Sequence, residues 1–260
     1  MRLGRILLLV ILAGLVGCRT MPPAPKAPEL SADQILSRMK TLRGDLTAFS
    51  ARGRLTLISP QQNATGTALI KGKLPQNLKV DLKGPLGRSI LSFATDGYVV
   101  ELLFPQEKKL FRGPATPNNL ASFIPPGVKL YQALQLLVGD LPLSQGPPAR
   151  VQFKPGERMY ILEWLKSDGS LQERLWVAAD EVQPRKEEWY EANGRLAFSA
   201  ELGEFNRLAP GRPAQLKVLT SNPQVELRLA YQEFTPKISL TAADLVVPRP
   251  TGTAVLPLKP

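Results

Sequence analysis

The first structured stretch of the chain has the apolar spacing of a helix. Gln34 follows Ser31 at the separation of a capping box, in which the two side chains satisfy free N–H groups at a helix start. Gly44 is expected to end this helix. Apolar side chains recur at helical intervals at Ile35, Met39, Leu42 and Leu46. The pattern predicts an amphipathic helix with one face on a core.

Beyond Gly44 the apolar period changes to two, which is the period of β-strands. Residues 54–57, 78–82, 195–202 and 225–231 alternate apolar and polar positions, which predicts strands with one wet face. Residues 98–104 and 159–165 are apolar on both sides, which indicates that something covers their second face. Asp168-Gly169 and Asn193-Gly194 are strong hairpin signals. We therefore expect about ten strands in an antiparallel sheet.

A second helix is predicted in the middle of the chain. Leu130, Leu134 and Leu137 share one helical face, Gly139 ends the helix and Pro142 prevents it from resuming. Two helices are too few to bury both faces of a flat sheet of this size. The expected fold class is mainly β with helices (α+β): a curled antiparallel sheet forms an unclosed half-barrel with helices in its concave mouth.

The inner face of the curled sheet follows from the alternation of apolar residues. The residues expected to line a cavity there are Leu55, Leu57, Val80, Leu82, Phe93, Leu134, Leu137, Trp164, Phe198, Leu227 and Leu229. The alternation identifies a face and leaves open whether that face encloses space or a filled core. For Trp164, Trp176 and Trp189, packing in the core is favoured over lining a cavity.

The N-terminal end of the chain has the pattern of a bacterial secretory signal. Arg2 and Arg5 precede an apolar run over residues 6–16, which is shorter than the roughly 20 residues that a membrane-spanning helix needs. Cys18 is the only cysteine, so no internal disulfide can form, and a reactive or intermolecular role of its thiol is the alternative to lipidation. Residues 15–18, LVGC, resemble a lipobox, which implies cleavage before Cys18 and lipidation of its thiol.

These features divide the chain into four parts. We expect a cleaved signal peptide at residues 1–17, the lipidated cysteine and a proline-rich stalk at 18–28, one domain at 29–247, and an extended proline-rich tail at 248–260. Arg19 follows the cysteine where Asp would imply retention in the inner membrane, so the lipobox resemblance implies the outer membrane, with the domain facing the periplasm.

The charge of the chain is basic. The formal net charge is +11, and it falls to +9 without Arg2 and Arg5. An anionic lipid surface is a better candidate partner than nucleic acid for an exported, lipid-anchored chain. Dispersed surface charge with no partner is an equally good explanation of the composition alone.

The residue types argue against enzyme chemistry. The sequence contains no histidine, which excludes Ser-His-Asp and Cys-His catalysis and metal sites built on histidine. Glu187-Glu188 and Asp180-Glu181 are adjacent pairs whose side chains point to opposite faces of a strand, so they are expected to be surface charge. We expect no cofactor and no catalytic activity. A hydrolase that uses acidic residues would need two carboxylates that meet in a cleft.

An apolar residue lies at the tip of a tight turn. Gly84-Pro85-Leu86-Gly87 has turn composition, but turn tips normally carry polar residues or glycine. Either Leu86 folds back under its own strands or it is exposed for a purpose. Basic residues surround the turn, and Lys79, Lys83 and Arg88 are expected either to contact anionic headgroups or to be a solvated strand face.

Several short motifs in order resemble the outer-membrane lipoprotein receptor family LolB and, more loosely, the periplasmic carrier family LolA. They are the lipobox, the helix that leads into FSARGRL at residues 49–55, the GPLG turn at 84–87, and LVGDLP at 137–142. The resemblance implies a hydrophobic cavity for the acyl chains of lipoproteins. It also implies transfer from a LolA-like carrier into the inner leaflet of the outer membrane by a monomer, with Pro85, Leu86 and Gly87 as the membrane-transfer loop.

Two features depart from the receptor pattern. Aromatic residues make up only 7% of the chain, so aliphatic residues would supply more of any cavity lining. A segment over residues 234–247 has no counterpart in the pattern. The alternative is therefore a structural or scaffolding envelope lipoprotein of the same fold, which binds a protein partner without carrying lipid.

Overall fold

The structure, a computed structural model, describes residues 30–60, 63–120, 124, 128–221 and 224–258. The predicted signal peptide, Cys18 and the stalk lie outside these residues. The helices are α1 Ala32–Arg43, α2 Pro117–Leu120 and α3 Leu130–Leu137, with 3₁₀ turns at Pro85–Gly87 and Ala242–Leu245. The strands are β1 Ala48–Ile58, β2 Asn63–Lys73, β3 Asn77–Lys83, β4 Ser89–Thr95, β5 Val99–Phe104, β6 Lys109–Pro114, β7 Arg150–Lys154, β8 Met159–Leu165, β9 Leu171–Ala178, β10 Gln183–Tyr190, β11 Leu196–Gly203, β12 Gln215–Ser221, β13 Gln224–Pro236 and β14 Ala254–Pro257.

Within the described residues, the fourteen strands form one unclosed sheet. Its order is β14-β6-β5-β4-β3-β2-β1-β13-β12-β11-β10-β9-β8-β7, so β7 and β14 are the two edges. Every neighbouring pair is antiparallel except β6 with β14, which is parallel. The predicted mainly β class with an unclosed sheet is confirmed, although the sheet has more strands than the sequence indicates.

The predicted hairpins and the first helix are confirmed in detail. Asp168-Gly169 joins β8 to β9, and Asn193-Gly194 joins β10 to β11. Each glycine has a positive φ, which these turns require and which glycine adopts without strain. Helix α1 starts with the complete capping box of Ser31 and Gln34.

Helices α1 and α3 pack on one face of the sheet, which we call the inner face. The main hydrophobic cluster contains buried side chains of β1 to β3, β8, β9 and β11 to β13 together with Ile35 of α1 and Leu134 of α3, and Trp189 of β10 packs against it. The phenol of Tyr231 on β13 donates a hydrogen bond of 2.6 Å to the carbonyl oxygen of Leu137, which fixes the end of α3 to the sheet. No helix of the described residues is long and apolar enough to span a membrane.

The C-terminal segment crosses the opposite face of the sheet, which we call the outer face. Asp244 pairs with Lys71 of β2 at 2.8 Å, and Val247 is buried in a cluster with Ala94, Leu103 and Leu110. The segment then pairs with β6 as β14. This explains why residues 98–104 are apolar on both sides: the C-terminal segment covers their outer face.

Candidate functional site

The turn between β3 and β4 presents Leu86 entirely to solvent. Its relative exposure is 105%, and its backbone has φ 63° and ψ 19°, the left-handed conformation that is costly for leucine. Pro85 and Gly87 are exposed on either side of it. The turn is closed by a hydrogen bond of 2.8 Å from the Gly84 N–H to the Arg88 carbonyl oxygen. The leucine does not fold back under its strands.

The three predicted basic residues are placed differently relative to this turn. Lys83 and Arg88 flank it, and neither pairs with a carboxylate in the described part of the chain. Lys79 lies four residues from Lys83 along β3, which is roughly 13 Å at strand spacing. Its ammonium group faces Asp81 at 3.5 Å. Lys83 and Arg88 therefore lie beside Leu86, whereas Lys79 lies farther away on the outer face of the sheet.

Apart from Leu57, the residues predicted to line a cavity lie in or against the main hydrophobic cluster. Five are buried in the main hydrophobic cluster: Leu82, Leu134, Trp164, Phe198 and Leu229. Five more are half-buried against that cluster: Leu55, Val80, Phe93, Leu137 and Leu227. Leu57 is also half-buried. These side chains form the core that joins the inner face to the helices.

An apolar cavity of about 250 Å³ lies beneath α1 and is lined by other residues. Its apolar wall includes Leu36, Met39, Leu141, Leu143, Val182 and Phe205. Lys40 and Arg43 of α1 stand at its rim, and Gln183 of β10 contributes a polar group. The side chain of Gln183 is buried, and its Oε1 has no hydrogen-bond partner in the described structure.

A buried ion cluster closes one side of this cavity. Arg212, which is 4% exposed, donates from Nη1 to Asp140 Oδ1 at 2.9 Å and from Nη2 to the Arg43 carbonyl oxygen at 3.2 Å. The Arg43 side chain also approaches Asp140, at 3.5 Å. Arg212 thus joins the end of α1, the segment after α3 and the loop between β11 and β12.

The pKa values of this cluster shift in the direction that burial imposes. Desolvation raises the pKa of Asp140, although Arg212 and Arg43 oppose the shift. Desolvation also lowers the pKa of Arg212, against the pull of Asp140. Burial thus sets the direction of both pKa shifts, and for Arg212 the positive charge of Arg43 adds to it. Removing one partner would leave the other as an uncompensated buried charge, which is the costly outcome for such pairs.

The loop between β11 and β12 meets α1 at a glycine. Gly211 has φ 68°, and a Cβ atom there would lie 1.8 Å from the Leu42 carbonyl oxygen. Only glycine therefore allows this close approach. The Asn206 side chain accepts the Gly211 N–H at 2.7 Å and holds the loop in this conformation.

The inner face also carries a buried pair of carboxyl groups. Glu173 of β9 and Glu187 of β10 are both fully buried, and their side chains lie within hydrogen-bonding reach of each other. The Ser144 N–H donates to Glu173 Oε2 at 2.7 Å, and the Trp189 indole donates to Glu187 Oε1 at 2.5 Å. The prediction that Glu187 is surface charge is wrong, because its alternate position on β10 faces the core.

Burial keeps this carboxyl pair protonated to higher pH. Desolvation raises the pKa of Glu187 well above its ordinary value of 4.5, and the charge of Glu173 raises it further. Desolvation also raises the pKa of Glu173. Glu173 Oε1 and Glu187 Oε2 have no hydrogen-bond partner among the described residues, and a proton shared between the two residues would satisfy both. The charge of the pair reaches Tyr131 of α3, whose pKa is raised by burial and by both carboxylates.

Of the remaining predictions on surface charge and tryptophan packing, the structure confirms some and contradicts one. Asp180 and Glu181 are exposed, as expected. Trp164 is buried, and Trp189 stacks on Phe198 with ring centroids 6.3 Å apart. Trp176 is not in the core: it lies half-buried on the outer face, beneath the charged groups of Arg174 and Lys186.

Comparison with known proteins identifies the fold. No protein-family model matches the chain, and no curated protein matches it in sequence. A LolA superfamily protein from Nitrosomonas europaea superimposes with a TM-score of 0.56 at 18% identity, covering 84% of this chain and 98% of its own. The chain has a LolA-like fold. A proposed outer membrane lipoprotein-sorting protein domain from Vibrio parahaemolyticus gives a TM-score of 0.56 at 15% identity, with coverage of 81% and 94%.

A third similar structure belongs to a family named only by number. The DUF1329 family protein from Desulfovibrio piger superimposes with a TM-score of 0.59 at 11% identity, and the match covers 87% of this chain and 98% of that one. The LolA-like fold therefore accounts for nearly the whole length of these neighbours. At these identities the similarity establishes the arrangement of the sheet and helices.

Proposed function

We propose that this protein is a lipidated outer-membrane receptor of the LolB type. In this proposal the signal peptide is removed, Cys18 carries the lipid anchor, and the domain faces the periplasm. The domain accepts lipoprotein acyl chains from a LolA-like carrier and helps to insert them into the inner leaflet. Binding and insertion of the acyl chains need no cofactor and no covalent chemistry, because apolar burial supplies the binding free energy.

The observation that carries the proposal is the exposed Leu86 on a strained turn. A leucine that touches nothing in the fold, in a backbone conformation that disfavours it, gives no stability to the domain. A membrane interior is the environment in which that side chain would gain free energy. Lys83 and Arg88 beside it would each gain about 1 kcal/mol at an anionic leaflet.

The free energies of burial show what Leu86 can contribute in a membrane. Burial of one leucine is worth about 1.5 to 3 kcal/mol. Three acyl chains, at about 0.8 kcal/mol per buried CH₂, contribute roughly ten times as much. Leu86 is therefore not an anchor. In the proposal it enters the bilayer where cargo leaves the protein and lowers the barrier for chains that would otherwise cross water.

The acyl chains enter between the inner face and the helices, with the sheet as the wall of the half-barrel and α1 and α3 in its mouth. The cavity beneath α1, about 250 Å³, holds on the order of eight methylene-sized groups, so it admits only part of one acyl chain. Loading therefore requires α1 to move away from the sheet. The hydrogen bond from Arg212 to the Arg43 carbonyl oxygen is one of the contacts that must break.

The test separates transfer from folding. Leu86→Glu leaves a fully exposed position exposed, so the free energy of unfolding should change by less than about 0.5 kcal/mol. Transfer of a fluorescent dipalmitoyl peptide from the purified protein to anionic phospholipid vesicles should slow at least tenfold. Lys108→Glu, at another exposed turn position with positive φ, serves as the control. Unchanged transfer by Leu86→Glu would remove the leucine from the mechanism.

The second candidate function is a scaffolding envelope lipoprotein that binds a protein partner. The observation in its favour is that the residues predicted to line a cavity pack into the core. It predicts that the purified protein binds no acyl ligand and that Leu86→Glu leaves transfer and lipid contact unchanged.

A further inference from the structure

The two edges of the unclosed sheet are not equally protected against a further strand. At the β14 edge, the N–H groups of Ala254 and Leu258 donate to carbonyl oxygens beside β6, at 2.8 and 2.9 Å. Because successive N–H groups of a strand point to opposite sides, the backbone of Val255 and Pro257 faces the open side of this edge. Proline has no N–H, so β14 offers a further strand few donors.

The edge formed by β7 lacks this protection. β7 pairs with β8 in a regular register without a bulge, and β8 is its only neighbour in the described part of the chain. The sequence of β7, RVQFK, contains no proline, so each of its residues carries an N–H. An edge of this kind presents a row of unpaired N–H and carbonyl groups. It is the backbone feature to which an extended peptide adds as a new strand.

The apolar side chains of β7 show which face of an added strand must be apolar. Val151 lies opposite the buried Leu162, so it is on the inner face, and it is 40% exposed. Phe153 is on the same face, where its ring lies 5.2 Å from that of Tyr160 between centroids. An added strand would place its own side chains beside these two residues. Apolar side chains on that strand would therefore cover Val151.

Basic residues stand at both ends of β7 on the outer face. The Arg150 guanidinium lies 3.7 Å from Glu163, but Glu163 is already paired with Arg174 at 2.7 Å. Lys154 has no carboxylate within ion-pairing distance in the described chain. A second copy of β7 would set basic residues opposite basic residues in either direction, which is unfavourable. An acidic segment would instead form two cross-strand ion pairs.

We propose that β7 binds an extended segment of a partner protein by strand addition, and that this segment has the pattern acidic, apolar, any residue, apolar, acidic. Its backbone extends the sheet, its apolar side chains cover Val151 and Phe153, and its acidic residues pair with Arg150 and Lys154. The pattern reads the same from either end, so it fits parallel and antiparallel addition. This inference does not depend on acyl binding and is compatible with both candidate functions.

Titration calorimetry of the purified protein with capped synthetic peptides tests the charge pattern. The peptides carry EVTVE or KVTVK between the same Gly-Ser flanks. EVTVE should bind saturably and about tenfold more tightly than KVTVK, because its charges pair where those of KVTVK repel. Absence of saturable binding of EVTVE, or equal affinity for the two peptides, would overturn the inference.

Two N-methylated forms of EVTVE test the backbone contribution. One is methylated at both valines and the other at the glutamates and the threonine. Since alternate N–H groups of a strand face one neighbour, one form should lose affinity by about tenfold or more and the other should keep binding. Equal affinity of the two forms would overturn strand addition.

Two exposed valines, one on each edge strand, give a matched pair of variants. Val151→Lys places a charge on the inner side of the β7 edge, which is a device that natural proteins use to block added strands. It should weaken EVTVE binding by about tenfold or more. Val255→Lys, on β14, should leave it unchanged. Equal effects of the two substitutions would place the peptide elsewhere and overturn the inference.

Charge reversal at one end of β7 gives a readout that does not require a change in the edge valine. Lys154→Glu should reduce the preference for EVTVE over KVTVK by about fivefold. Lys237→Glu, which follows β13 six strands away in the sheet order, should not alter it. Sedimentation should show that the wild type is a monomer. A dimer that Val151→Lys dissociates would assign the edge to a second copy of the chain and overturn the inference.

Discussion

At the scale of single residues, Leu86 shows most clearly how the proposed function conflicts with the stability of the fold. Its left-handed backbone costs roughly 1 to 2 kcal/mol relative to an ordinary conformation, and its side chain regains none of this by packing. The neighbouring turn residues do not offset this cost of placing a leucine here. This unrewarded cost is the basis of the proposal that Leu86 acts on a membrane outside the domain.

Replacement of Leu86 by glycine should stabilise the protein. Leu86→Gly relieves the positive φ and removes no contact, so the free energy of unfolding should rise by about 1 kcal/mol in urea denaturation. Lys108→Gly, at another exposed position with φ 53°, should give a similar gain. Only Leu86→Gly should also slow transfer to vesicles. A loss of stability in Leu86→Gly would show that the leucine serves the fold.

The residues that sequence alone located are those whose signal is local. Leu86 was identifiable because an apolar side chain on a turn contradicts turn chemistry. Gln183, Asp140 and Arg212 gave no such signal, since their roles depend on which loops meet α1 in three dimensions. Glu173 had a weak signal: it shares an inner-face alternation with Leu175 and Val177, where a carboxyl group is out of place.

At the scale of elements, the C-terminal segment works as a strap across the outer face. It begins at the end of β13, passes over β2 and β3 through Asp244, and ends in β14 beside β6. Val247 is the side chain that it buries there, against Leu103 and Leu110. The strap thus covers strands that would otherwise expose an apolar outer face.

A pair of adjacent valines tests this role. Val247 is buried and Val246 is exposed, so the two differ in contact but share composition and neighbourhood. Val247→Ala should lower the free energy of unfolding by about 2 kcal/mol in urea denaturation, since it removes buried methyl groups and leaves a cavity. Val246→Ala should change it by less than about 0.5 kcal/mol. If both substitutions change the free energy of unfolding by the same small amount, the strap does not stabilise the outer face of β5 and β6.

The elements that sequence predicted best are those whose pairing is local. Helix α1 with its capping box and the hairpins at Gly169 and Gly194 follow from short motifs. The parallel pairing of β14 with β6 joins residues 145 apart in sequence, such as Ala254 and Lys109, and no local pattern predicts such a contact. The sequence therefore predicts the tail only as extended chain.

At the scale of the whole molecule, buried carboxyl groups give stability an unusual dependence on pH. The pKa values of Glu173 and Glu187 are raised in the folded state, so the folded protein binds more protons than the unfolded chain above pH 4.5. Their contribution is complete below that pH and is lost as the pH rises through the folded pKa. Carboxyl groups with lowered pKa values, such as Asp244 beside Lys71, act in the opposite direction but below pH about 4.

Glu187→Gln should remove most of this dependence. The amide resembles the protonated acid and still accepts from the Trp189 indole, so the variant should be more stable than the wild type at pH 7.5 and equal to it near pH 4.5. Urea denaturation at several pH values measures the difference, whose slope for one proton is at most about 1.4 kcal/mol per pH unit. Glu201→Gln, on the outer face of β11, should leave the profile unchanged. A wild-type profile that is flat between pH 5 and 8 would contradict the shared proton.

The central claim is that hydrocarbon binds between the inner face and α1, and photocrosslinking tests it most directly. A palmitate analogue with a diazirine near the end of its chain is bound to the purified protein and irradiated, and mass spectrometry locates the label. The account predicts saturable labelling that unlabelled palmitate prevents, concentrated at Leu36, Met39 and Phe205 around the cavity. Labelling that is scattered over the surface, or that palmitate does not prevent, would contradict it.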